Sequence, residues 1–135
     1  MSAAVYISFE SPTTADQIVV DGKHMMLHLD NVSAIGEDHG LKRLDDYVSQ
    51  TMEEVLDFMD DAMASQEQII TTYHEQWFDP KEGLALIEEY IGLIGNYHSL
   101  GETIKSKCLI DLKSYREVLR ILTQENIRWH FSYDI

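Results

Sequence analysis

A chain of 135 residues that is 44% hydrophobic, with two Trp, seven Tyr and four Phe, carries enough apolar area for a real core, and residues 1–135 are expected to form a single domain. Ten basic residues against 24 acidic ones leave a formal charge of −14, a field that opposes a phosphate backbone and argues against nucleic acid as a direct ligand. One cysteine, Cys108, excludes an intramolecular disulfide, and no apolar run approaches the ~18 residues needed to span a bilayer, so a cytoplasmic protein with no membrane association is expected.

In chain order, Val5, Ile7 and Phe9 alternate with Tyr6, Ser8 and Glu10, the period of a half-buried strand, which Ser11-Pro12 ends. Residues 17–20 and 24–29 read as two further short strands reversing at Asp21-Gly22. From residue 41 to about 64, Leu44, Tyr47, Val48, Met52, Val55, Leu56, Met59 and Met63 recur at steps of three and four, predicting one amphipathic helix. Residues 65–76 fit a helix or a short strand, with helix preferred. Asp79-Pro80-Lys81-Glu82 then predicts a helix start: a capping carboxylate, a proline at the first position and a reciprocal Glu. That helix should bury Leu84, Ile87, Ile91 and Ile94, and residues 96–107 read mainly as a connection.

Asp111 is expected to cap a last helix carrying Leu112, Tyr115, Val118, Leu119 and Leu122, closed by Asn126 in the left-handed conformation. Ile127, Trp129, Phe131 and Tyr133 then alternate with polar neighbours, the clearest strand in the chain. The fold class expected is α+β: a small, mainly antiparallel sheet of the N-terminal strands and the C-terminal strand, covered by three to four helices.

Charge is segregated. Residues 37–61 hold nine carboxylates against Lys42 and Arg43, a formal −7, whereas residues 105–135 carry six cations against four carboxylates. On the helix predicted over 41–64, Glu53, Glu54, Asp57, Asp60 and Asp61 lie largely off the apolar stripe. They could form a solvated face, a hard-cation site or an electrostatic docking surface. No EF-hand loop supports calcium, and rim charges of this kind speed encounter with a basic partner. Trp77 and Phe78 beside the capped helix read as core or staple residues, with Trp77 also a candidate interface anchor.

Catalytic signatures are missing. No G-x-S-x-G, P-loop, G-x-G-x-x-G or HExxH pattern occurs, the six histidines are scattered, and Cys108 precedes Leu109-Ile110 in an apolar setting unsuited to thiolate activation. No catalytic residue, metal or cofactor is therefore assigned. An alternative is a small enzyme whose His and carboxylate groups, His24, His28 or His130 among them, come from separate elements; another is an acidic regulatory module.

The segment Trp77-Phe78-Asp79-Pro80-Lys81-Glu82-Gly83-Leu84, with the closing pattern from Asp111-Leu112 through Trp129-His130-Phe131-Ser132-Tyr133-Asp134, resembles a group of small bacterial proteins of uncharacterised function. In size, acidity and lack of a site, the chain also resembles the immunity proteins of bacterial toxin systems, including contact-dependent growth inhibition. That resemblance implies a non-catalytic antitoxin that occludes a basic toxin domain, a nuclease in the first instance, with Glu53, Glu54, Asp57, Asp60 and Asp61 meeting its Lys and Arg side chains and aromatics such as Trp77 at the centre of the contact.

Overall fold

A computed structural model describes residues 3–50 and 75–134. The fold is α+β: a two-stranded antiparallel sheet of β1 (Ala4–Phe9) and β2 (Trp129–Asp134), with three α-helices, α1 (Lys23–Asp38), α2 (Pro80–Gly95) and α3 (Glu102–Glu125). Single turns of 3-10 helix at Thr14–Gln17, Leu44–Tyr47 and His98–Leu100 join them. The two strands pair along their whole length, Ala4 opposite Asp134 and Phe9 opposite Trp129.

The alternation read in both strands decides the core. Val5, Ile7, Trp129 and Phe131 are buried with Leu112, Tyr115, Val118, Leu119 and Leu122 of α3 and Ile87, Tyr90 and Ile94 of α2. Tyr115 packs edge-on against Phe131 at 5.1 Å, and its hydroxyl donates to the Val5 carbonyl at 2.7 Å, fixing α3 across both strands. Glycine permits close approaches on β1 and on Trp129. Gly22 sits at φ 71°, and a Cβ there would lie 2.1 Å from the Val5 carbonyl oxygen; one on Gly83 would lie 2.4 Å from the Trp129 ring.

Four local expectations are corrected. Residues 24–29 form no strand, nor do residues 17–20: Lys23–Asp38 is one helix, burying Met25, Leu29, Val32 and Ile35 at helical spacing. The short apolar runs fitted either period, and packing chose the helical one. Nor does a helix run on from residue 41. Leu44–Tyr47 is a single 3-10 turn, after which Val48 is extended and bridges Phe131, so sheet pairing overrides the three-four pattern. Residues 51–64, the rest of that predicted helix, lie outside the described residues, as do 65–74.

The third correction concerns α3, which begins at Glu102 and makes the predicted connection only residues 96–101. Asp111 therefore caps no start of its own helix. Wholly buried in mid-helix, it accepts from the backbone N–H of Gly22 at 3.2 Å and of Met25 at 3.0 Å, and so caps α1 from another element. Fourth, α2 buries Leu86 and Tyr90 along with Ile87 and Ile94, while Leu84 and Ile91 are only half-buried. Its start is as predicted: Pro80 opens it and the Asp79 carboxylate accepts from the Lys81 N–H at 2.9 Å.

Candidate functional site

Two constellations bear on function, one beneath the sheet and one on the helical surface. The first follows from strand alternation, which turns His130 and Ser132 to the face opposite Trp129 and Phe131. Both are wholly buried. His130 Nε2 lies 2.5 Å from a Glu75 carboxylate oxygen, while Nδ1 lies 3.0 Å from the Phe131 carbonyl and 3.2 Å from Ser132 Oγ. The Ser132 hydroxyl donates to the Ser49 carbonyl at 3.2 Å and meets Ser8 Oγ at 2.8 Å. Both ring nitrogens thus have polar partners, a carboxylate on one side and a carbonyl with a hydroxyl on the other.

Trp77 covers this network. Its ring is half-buried, 4.5 Å from the His130 ring and tilted by 40°. Phe78 exchanges backbone hydrogen bonds with Trp129, at 2.8 and 3.1 Å, and packs on Tyr47, which stacks in turn on Trp129 at 5.5 Å. Trp77 and Phe78 thus belong to one wall of the sheet. Glu75, its side chain 22% exposed, is open to water where its partner His130 is not.

The second constellation is acidic. Arg43, after α1, pairs with Asp30 at 2.6 Å, Glu37 at 3.5 Å and Asp45 at 3.0 Å; the hydrogen bond to Asp45 contributes most to raising its guanidinium above the ordinary arginine range. Glu37 and Asp38 fall in the last turn of α1, where the helix dipole disfavours carboxylates, and Arg43 offsets part of that repulsion. Lys42 pairs with Glu82 at 3.2 Å, and the Tyr47 hydroxyl donates to the same carboxylate at 2.8 Å. The Tyr47 bond first, and Lys42 second, hold Glu82 below the usual carboxylate range. Glu82 and Glu89 then flank an open cleft of about 280 Å³ floored by Leu41, Ala85 and Leu86. Four carboxylates, Asp30, Glu37, Asp45 and Glu82, thus pair with two cations, and Glu89 lines the cleft beside them.

The five carboxylates singled out in the sequence, Glu53, Glu54, Asp57, Asp60 and Asp61, lie outside the described residues. His24 and His28 share a face of α1 as helical neighbours rather than strand ones, and neither belongs to the His130 network. Cys108 is buried, and desolvation, with the nearby Asp111 charge second, pushes its thiol up to about 11. Among the described residues no three His, Cys, Asp or Glu side chains are placed to hold a metal ion. Sequence reasoning missed Glu75 and the Arg43 hub. The alternation of both strands did place Ser8, His130 and Ser132 on one face, a signal available without the structure, whereas nothing local announces that Glu75 reaches His130.

Comparison of the chain with family models, with curated proteins and with solved structures finds no match. Among the described residues, no helix is long and apolar enough to cross a membrane.

Proposed function

We propose that this chain is a non-catalytic, cytoplasmic binding protein that neutralises a basic protein partner, and that the partner is a toxin domain of the nuclease class, as in contact-dependent growth inhibition. The observation that carries the reading is the acidic surface around Arg43 and Lys42. Asp30, Glu37 and Glu82 keep their carboxylates largely or partly in water while α1, the Leu44–Tyr47 turn and α2 hold them in fixed positions. A preorganised negative surface attracts Lys and Arg side chains, which in a nuclease contact phosphate, and occupying them excludes the nucleic acid. The mechanism is stoichiometric occlusion, with Glu53, Glu54, Asp57, Asp60 and Asp61 extending the same charge in sequence.

Co-purification with the product of the adjacent gene tests this. The expected result is a one-to-one complex whose affinity falls steeply with salt and drops at least tenfold in a Glu82→Lys, Glu89→Lys double variant. No complex, together with no protection of cells expressing that product, would sink the reading.

A second reading, a small enzyme with a His and carboxylate site, draws on the Glu75–His130 pair alone. There His130 would orient and polarise Glu75, the solvent-facing partner, as general base. Hydrolysis of activated ester or phosphate substrates that vanishes in Glu75→Gln while the melting temperature holds would favour it. Activity unchanged in that variant would remove it.

A further inference from the structure

The register of the sheet fixes which backbone groups face outward. Glu10 N–H donates to the Arg128 carbonyl at 3.0 Å, so the even-numbered residues of β1 face β2, while Val5 N–H points the other way, to the Gly22 carbonyl at 3.0 Å. Ile7 and Phe9 share the orientation of Val5. Among the described residues, their outward N–H and C=O groups meet no backbone partner. A groove of about 230 Å³ lies at this strand, lined by Ile7 and Phe9 of β1, Val118 of α3, and Ala15, Ile18 and Val20 among others. Its outer wall is pinned, because Thr13 and Thr14 both donate to Glu125 at 2.5 Å. Asp16 lines the same groove, and Val19 beside it is 88% exposed.

We infer that the Ile7–Phe9 edge and its groove take up an extended segment of a basic protein partner by strand addition, a mode of contact that rests on the partner-binding reading above. An edge without backbone partners among the described residues selects its occupant by backbone chemistry: a strand about 4.8 Å away would satisfy the N–H and C=O of Ile7 and Phe9, and its alternate apolar side chains would enter the groove. A helix, about 10–12 Å across, offers no such backbone groups and does not fit a space of this size. Charge decides between a foreign strand and a second copy of this chain. Two copies would bring −14 against −14 with Asp16 at each groove, whereas a segment flanked by Lys or Arg meets Asp16 favourably.

The test uses the full chain and a synthetic peptide of alternating Val and Thr with Lys at both ends, followed by amide NMR and calorimetry. Saturable binding is expected, with the Ile7 and Phe9 amides shifted and protected from exchange. Phe9→Pro should weaken binding at least tenfold, since it removes an outward donor and no bond to β2. An amide-to-ester replacement at Phe9 keeps the side chain and should weaken binding in the same direction, which covers the case of a poorly folded proline variant. A peptide with Glu at both ends should bind more weakly than the Lys form. Absence of binding up to about 1 mM, shifts that bypass Ile7 and Phe9, an ester variant that binds like the parent, or a dimer of this chain that Phe9→Pro dissolves would each overturn the inference. The two proposals fail separately. Loss of the adjacent-gene complex with peptide binding intact removes the toxin reading alone, and the reverse removes the strand edge alone.

Discussion

The sheet has two outer edges, and they are finished differently. On β2, Trp129 exchanges two hydrogen bonds with Phe78, Phe131 accepts from Ser49 N–H at 2.9 Å, and the Glu75–His130 contact and Trp77 ring close over the strand. On β1, among the described residues, only Val5 has such cover, from the Gly22 carbonyl on its N–H and the Tyr115 hydroxyl on its C=O. Open edges invite pairing with other chains, and among the described residues the outward backbone groups of Ile7 and Phe9 are the ones left without a backbone partner, which localises any such pairing. The strand addition proposed above uses the less covered of the two edges, and the variants below probe each edge in turn.

The largest expected effect tests the sealed edge. Trp129, 1% exposed and stacked on Tyr47, should cost about 3–5 kcal/mol when changed to Ala, measured by urea unfolding. Next comes the device that positions the covered end of β1. Asp111→Ala strips the acceptors from Gly22 and Met25 N–H and should cost about 1–3 kcal/mol, with faster hydrogen exchange at Val5 as the signature that the edge has opened. A loss spread evenly over all amides would instead show that Asp111 has no special hold on β1. Glu75→Gln keeps the shape but removes the charge facing His130; about 1 kcal/mol and a changed Trp77 fluorescence are expected, and an unaltered spectrum would separate Trp77 from the network.

The smallest effect lies on the outer wall of the open groove. Thr13 first, and Thr14 second, hold the exposed Glu125 carboxyl below its ordinary value of 4.5. A depressed folded value means stability present above 4.5 and lost as pH falls through the lower folded value. Glu125→Gln should therefore leave the neutral melting temperature nearly unchanged and flatten its fall below about pH 4.5; an acid limb identical to the parent's would show that the wall is not pinned by these bonds.

Much of this fold was legible locally. Both strands, the Asp79-Pro80 start of α2 and the left-handed Asn126 that closes α3 depend on neighbours within a few residues, and each stands where the pattern put it. The misreadings share a cause, in that a distant partner outweighed a local preference. Val48 left its three-four pattern for Phe131, and Asp111, a plausible cap for its own helix, caps α1 instead. Of the candidate site, the sequence marked Trp77 but not its seat on His130, and it named His130 without Glu75.

By itself, then, the sequence determined the segregated charge, the strand periods and the missing catalytic motifs, because composition and spacing are properties of the chain alone. Only the tertiary structure decided which carboxylates surround Arg43, that Glu75 reaches His130, and which sheet edge, among the described residues, lacks backbone partners. Hydrogen bonds between residues 55 to 118 positions apart, such as Glu75 to His130 and Glu10 to Arg128, depend on chain closure and carry no local signature.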